Sequence, residues 1–170
     1  MRLLFIRHAI AGDRDEWAKS GRPDADRPLT ERGRTRMRRV ARGLTRLLPR
    51  PDVIATSPYL RAAETAAIVS KAYGGPPPVE LPVLVPGVEF AELVTWLRAQ
   101  KVTGTIALVG HEPHLGGSLC YFLTGRREGF FEFKKGGAAL VQLADPPTPG
   151  VARLLWALEP GQLRRIRDDK

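Results

Sequence analysis

Two of the three histidines in this 170-residue chain stand where an apolar run stops. His8 follows Arg2-Leu3-Leu4-Phe5-Ile6 and Arg7, and His111 follows Thr105-Ile106-Ala107-Leu108-Val109 and Gly110. A neutral imidazole is a nucleophile, and its ordinary pKa of about 6.5 keeps that form populated near neutral pH. By itself His8 better fits a histidine that merely closes a strand. Arg7 shifts the balance toward chemistry, because a guanidinium beside the ring offers paired donors to the oxygens of a phosphate under attack and opposes ring protonation. Further along, Ser57-Pro58-Tyr59-Leu60-Arg61-Ala62-Ala63-Glu64-Thr65 places Arg61 one turn into a helix whose N-terminus favours anions. Gly110-His111-Glu112-Pro113 presents His111 as a proton donor or a cationic oxygen ligand. Phosphoryl transfer asks mainly for in-line positioning and for positive charge around the equatorial oxygens, and this residue set holds a nucleophile and the charge.

These residues act together only if the fold gathers them. The run at residues 2–6 reads as a buried strand that delivers Arg7 and His8 to its carboxyl end. Residues 9–28 are polar, rich in Gly, Asp and Arg, and without period, which predicts a long functional loop. From Thr30 the apolar residues Met37, Val40, Ala41, Leu44, Leu47 and Leu48 recur at helical steps, with Thr30 as N-cap and Glu31 near the positive end of the dipole. Residues 52–56 form the next strand. Ser57 as N-cap with Pro58 at the first position opens a helix to Tyr73, stopped by Gly74-Gly75. A weak strand at residues 79–81, a helix over 89–100, a strand over 105–109 and a helix from Pro113 to about Leu123 follow. Two late strands, 138–143 and 152–158, flank the Pro- and Gly-rich turn at 145–150. Alternating strands and helices predict one α/β domain spanning residues 1–170, with a mostly parallel central sheet covered by helices on both faces. In such sheets ligands gather at the carboxyl ends of the strands, where Arg7, His8, Ser57 and His111 all fall.

Composition sets the outer bounds. The chain is 43% hydrophobic, enough to bury the core of one ordinary domain. It has no apolar run long enough to span a membrane, and the opening segment is too short for a signal-peptide core, so a cytoplasmic protein is expected. Cys120 is the lone cysteine, which leaves no disulfide framework and reads as a core residue. The net charge is +9, and ten arginines lie between Arg22 and Arg50. Such a chain attracts anions: phosphorylated substrates, acidic partners, polyphosphate or nucleic acid. Against nucleic acid stands the lack of aromatic residues among the charges of residues 30–48, since single-strand binders use them for stacking.

Four segments in order resemble the SixA-like phosphohistidine phosphatases of the histidine phosphatase superfamily. The family's Arg-His-Gly is matched by Arg7-His8-Ala9, with alanine in the glycine place, where it restricts the backbone. Arg27-Pro28-Leu29-Thr30-Glu31-Arg32-Gly33 matches Arg-Pro-Leu-Thr-x-x-Gly, Ser57 through Thr65 matches Ser-Pro-x-x-Arg-Ala-x-x-Thr, and Gly110 through Pro113 matches Gly/Ser-His-x-Pro. Lys135-Gly136-Gly137 is similar to a further element before a late strand. The resemblance implies a phosphoglycerate mutase-like fold and a pocket in which His8 attacks phosphorus while Arg7, Arg61, His111 and Arg27 surround its oxygens. It implies no cofactor or metal, since fixed arginines supply the charge. The partner it implies is a phosphorylated protein, such as a histidine-containing phosphotransfer domain.

Four points stay open in the sequence. Glu80, Glu89 and Glu92 offer no clear general acid, which favours a phosphohistidine, whose imidazole leaves more easily than an alkoxide. A phosphomonoesterase on small metabolites would share every catalytic residue, although no insertion after Thr65 provides a lid. His111 and His114 share a helical face but lack a third metal ligand, and His114 is expected at the pocket rim or surface. Phe130, Phe131 and Phe133 are expected in the core rather than on a partner surface.

Overall fold

The apolar opening run becomes strand β1 (Arg2–Arg7) in a computed structural model that describes residues 1–166. Successive side chains of a strand point to opposite faces, so Leu4 and Ile6 enter one core while Leu3 and Phe5 enter the other. After it come α1 (Arg14–Ala18), α2 (Glu31–Leu47), β2 (Val53–Thr56), α3 (Leu60–Tyr73) and β3 (Val79–Glu80). The second half supplies α4 (Phe90–Arg98), β4 (Thr105–Gly110), α5 (His114–Thr124), β5 (Ala138–Gln142), β6 (Arg153–Leu158) and α6 (Pro160–Leu163).

The six strands form one sheet in the order β3-β2-β4-β1-β5-β6. The first four run parallel, while β5 and β6 are antiparallel additions at one edge. Met37, Val40, Ala41 and Leu44 of α2 join Ala62, Ala66 and Val69 of α3 on one face. Leu93, Val94 and Leu97 of α4 join Leu115, Leu119 and Phe122 of α5 on the other. The sheet is thus mostly parallel and covered on both sides, as its alternating pattern predicts. Cys120 is buried within α5. Among the described residues no helix is long and apolar enough to cross a membrane.

Several local expectations change. The stretch 9–28 is not all loop: Asp13 caps α1 by accepting from the Asp15 and Glu16 N–H groups, and Asp24–Asp26 makes a single 3-10 turn. Helix α3 begins at Leu60 with Tyr59 at its cap, so Ser57 and Pro58 precede it; the Ser57 hydroxyl has another partner, described below. The phenylalanines divide: Phe133 is 2% exposed and packs on Phe5, whereas Phe130 is 69% exposed. His114 is buried, its ring tilted against Phe90, with Nε2 against the Val88 carbonyl, and not at a surface.

Candidate active site

Adjacent parallel strands bring the two histidines together. The register pairs Arg7 with Gly110, so the next residue of each strand, His8 and His111, emerges at the same sheet end. Their rings lie 5.0 Å apart, centroid to centroid. On the other side of β4, strand β2 ends level with it, and the Ser57 N–H donates to the Val109 carbonyl at 3.0 Å. The carboxyl ends of β1, β4 and β2 therefore place His8, His111 and Ser57 side by side. Arg61, in the first turn of α3, completes the group.

Each sequence segment singled out above has a mechanical part in this arrangement. Thr30 caps α2 by accepting from the Gly33 N–H at 2.9 Å, and its own N–H and hydroxyl both donate to the Ile10 carbonyl. That carbonyl lies so close to α2 that a Cβ on Gly33 would sit 2.0 Å from it, which explains why the position carries no side chain. Thr65 accepts from the Ala9 N–H at 3.0 Å and donates to the Arg61 carbonyl at 2.7 Å, tying the residue after His8 to α3. Gly136, with φ of +82°, turns the chain so that its N–H donates to the Arg7 carbonyl while the Arg7 N–H donates to Gly137. Ala9 needs no such freedom: no non-glycine residue among those described has positive φ, and the methyl group is buried.

Arg7, His8, Arg27, Arg61 and His111 line a pocket of about 690 Å³. His8 is 6% exposed, His111 2%, Arg61 5% and Arg27 7%, so four polar side chains are sunk into the sheet end. Burial first, then Arg61, Arg7 and Lys135, lower the His8 pKa to about 3, overcoming the raising effect of its bond to the Ala9 carbonyl. The His8 ring is thus neutral. Because a carbonyl can only accept, Nδ1 must carry the proton in its 2.7 Å bond to Ala9, leaving a lone pair on Nε2. Burial, His8 and Arg61 likewise push His111 to about 3. Ser57 Oγ accepts from the Tyr59 N–H at 3.4 Å and lies 2.8 Å from His111 Nε2; when the hydroxyl gives its hydrogen to Nε2, the His111 proton is on Nδ1.

Three buried donors around the pocket have no hydrogen-bond partner among the described residues: Arg7 Nε, Arg61 Nε and His111 Nδ1. Buried polar groups are ordinarily paired, and leaving one unpaired costs about 1–3 kcal/mol. All three belong to residues that line this pocket, a combination suited to an anion with several acceptor oxygens. Arg7 is fixed meanwhile by Nη1, which donates to the Phe133 carbonyl and lies 3.5 Å from Glu132.

Sequence reasoning missed four residues of this wall. Tyr59 packs its ring at a tilt against His111 and lies under the Arg61 guanidinium, 5.0 and 4.9 Å away. Asp24 binds both Arg61 and Arg27. Glu112 and Lys135 complete the lining. Tyr59, Glu112 and Lys135 carried a signal, standing inside quoted segments; Asp24 sits in an aperiodic stretch. Of the three glutamates considered as acids, none lines the pocket, and Glu89 pairs with Arg127. Glu112 accepts from the Phe133 N–H at 2.9 Å, and burial raises its pKa against that bond and one from Gly116.

Comparison with known proteins bears on the family and the fold. The family model of the histidine phosphatase superfamily (branch 1) matches residues 3–84. An uncharacterized protein of Picosynechococcus sp. is 35% identical over 150 residues, covering 82% of this chain and 88% of that one. The fold is similar to that of the protein histidine phosphatase SixA, solved with tungstate: TM-score 0.82, 24% identity, 96% of this chain and 99% of that one. It is also similar to a phosphoserine phosphatase mutant of Entamoeba histolytica, solved with phosphoserine, at TM-score 0.68 and 18% identity over 95% and 98% of the two chains.

Proposed function

The chain belongs to the histidine phosphatase superfamily, and we propose that it is a phosphatase whose His8 Nε2 attacks phosphorus and which releases phosphohistidine-bound phosphate from a partner protein. The observation that carries the reading is the gathering of Arg7, His8, Arg61 and His111 around one pocket, with Arg7 Nε, Arg61 Nε and His111 Nδ1 left without partners and a lone pair free on His8 Nε2. In the first step Nε2 forms a bond to phosphorus as the bond to the leaving group breaks. The leaving group departs with that electron pair and takes up a proton. Arg7, Arg61 and His111 donate to the phosphoryl oxygens, with Arg27 beside them, and stabilise the charge on them without a metal. Water then attacks phospho-His8, loses a proton, and returns the electron pair to Nε2 as phosphate leaves.

The state of the pocket carboxylates favours a phosphoramidate over an ester. Asp13 is committed to the α1 cap, and Asp24 is ion-paired twice, with its pKa held below the usual range because the Arg27 hydrogen bond and the Arg61 charge outweigh burial. Neither can protonate an alkoxide, whereas a leaving imidazole has its own proton-accepting nitrogen. A protein-borne substrate is favoured by the basic surface beside the pocket. Lys135 lines both the catalytic pocket and a neighbouring crevice with Arg36 and Arg164. After burial, the repulsion of Arg36, Arg39 and Arg165 is what lowers the Arg164 pKa, so like charges accumulate there without carboxylate partners among the described residues. An acidic phosphoprotein, met in the cytoplasm, would relieve that repulsion.

One observation supports a second reading, hydrolysis of small phosphate esters: Glu112 borders the pocket and its pKa is raised, as a general acid requires. A substrate panel separates the two. A phosphorylated histidine-containing phosphotransfer domain and free phosphohistidine should turn over well above phosphate esters, with His8→Ala inactive on all. Ester turnover that dominates and collapses in Glu112→Gln would establish the second reading instead.

A further inference from the structure

Asp24 reaches into the catalytic pocket from the 3-10 turn between α1 and α2, and an anionic side chain is an odd lining for a phosphate site. Its contacts give the reason. Arg61 Nη1 donates to the Asp24 carbonyl at 2.8 Å, and Arg61 Nη2 lies 3.0 Å from Asp24 Oδ2. One residue, through main chain and side chain, therefore grips the end of the guanidinium fork. The Nε–H lies on the side edge of the fork, outside this grip, and is the donor left unpartnered. The other carboxylate oxygen, Oδ1, accepts from Arg27 Nε at 2.8 Å, while Arg27 Nη1 donates to the Gly12 carbonyl at 2.7 Å. Two guanidiniums that repel each other are thus bridged by a single carboxylate, and both are fastened to the segment that follows His8.

We propose that Asp24 is a positioning residue for phosphoryl transfer: by clamping the Nη end of Arg61 and bridging it to Arg27, it presents the Arg61 Nε edge to the phosphoryl group. This rests on reading the pocket as a phosphoryl site and adds to it the residue that aims its principal arginine. The charge of Asp24 opposes ground-state binding of an anion, because like charges repel at this range. Its benefit lies in the transition state, where donors fixed in advance stabilise developing charge without reorganisation. Positioning and charge therefore pull two measurable quantities apart.

The test is steady-state kinetics on a small phosphoramidate together with the inhibition constant of inorganic phosphate, for wild type, Asp24→Asn and Asp24→Ala. Thermal melting of each variant accompanies them. Asp24→Asn keeps the side chain's shape and one acceptor, so it guards against an alanine variant that fails to fold. Positioning requires that kcat fall by about tenfold to a hundredfold, as small misplacements of a catalytic donor do, while phosphate binds as tightly as in wild type or tighter. Wild-type kcat in Asp24→Asn would overturn the proposal. So would faster turnover, which would make Asp24 a competitor of the substrate. A parallel loss of kcat, phosphate affinity and melting temperature would overturn it too, reducing Asp24 to a structural brace. If wild type itself neither binds phosphate nor turns over, the phosphoryl reading fails instead, which is a separate result.

Discussion

Acidification tests the environment of the nucleophile most sharply. Burial, with Arg61, Arg7 and Lys135 near the ring, takes the His8 pKa to about 3. At pH 6.5 an ordinary histidine is half protonated, whereas a ring whose pKa lies three and a half units lower is protonated in roughly one molecule in 3,000. Since the folded pKa lies below the unfolded one, the unfolded chain takes up the proton first as the pH falls. The stability supplied by a neutral His8 is therefore complete above about pH 6.5 and is lost progressively between there and about pH 3. Each such histidine steepens the loss by up to about 1.4 kcal/mol per pH unit, and His111, also lowered to about 3, acts in the same direction. The assay is imidazole nitrogen–proton NMR on histidine-labelled protein, titrated from about pH 8 to pH 4.5 in phosphate-free buffer, a range spanning the ordinary histidine pKa. His8→Ala and His111→Ala assign the signals. His8 should remain the neutral tautomer with its proton on Nδ1 throughout the folded range. A His8 midpoint near 6.5, or a proton found on Nε2, would refute the argument that burial and the Ala9 carbonyl prepare this nitrogen for attack.

Other consequences can be measured alongside. Gly33→Ala drives a Cβ to 2.0 Å from the Ile10 carbonyl, a backbone atom that cannot swing aside; urea unfolding should show a loss of about 1–3 kcal/mol, with activity falling too. Gly12→Ala, whose Cβ meets only Arg27 Cγ at 3.8 Å, should be tolerated in the same measurement. Ser57→Ala removes the partner of buried His111 Nε2 and should lower kcat/KM about tenfold, the order expected when a buried polar atom loses its bond. Toward an acidic phosphoprotein, kcat/KM should fall as salt shortens the screening length to about 8 Å, and Arg36→Glu with Arg39→Glu should produce the same fall. Turnover of free phosphohistidine should change little in either case.

Much of the fold was legible because it depends on patterns that local physics enforces. The Leu3–Ile6 stretch had to be buried on both faces, and parallel pairing of β1 with β4 made the two histidines neighbours. Thr30 as a cap could be read from its place before a helical stripe. Ser57 was misread for an instructive reason: a hydroxyl before a proline is a good N-cap in isolation, but here His111 claims it, and that partner is distant in sequence. Asp24 was invisible for the same reason, since its importance comes from Arg61 and Arg27, brought near only by the folded loop. Ala9 looked restrictive beside the glycine of the family signature, yet its backbone conformation accommodates a side chain. His114 was expected to share a helical face with His111, but α5 begins only at His114, so His111 lies in the turn before it and the His114 ring packs against Phe90 instead.

The most direct measurement is to mix the protein with a phosphorus-labelled phosphoramidate, quench within milliseconds under alkaline conditions that preserve phosphohistidine, and locate the label by peptide mass spectrometry. The phosphoryl group should be found on His8, at Nε2, and should be absent from His8→Ala. Label on any other residue, or full turnover by His8→Ala, would contradict the account at its centre.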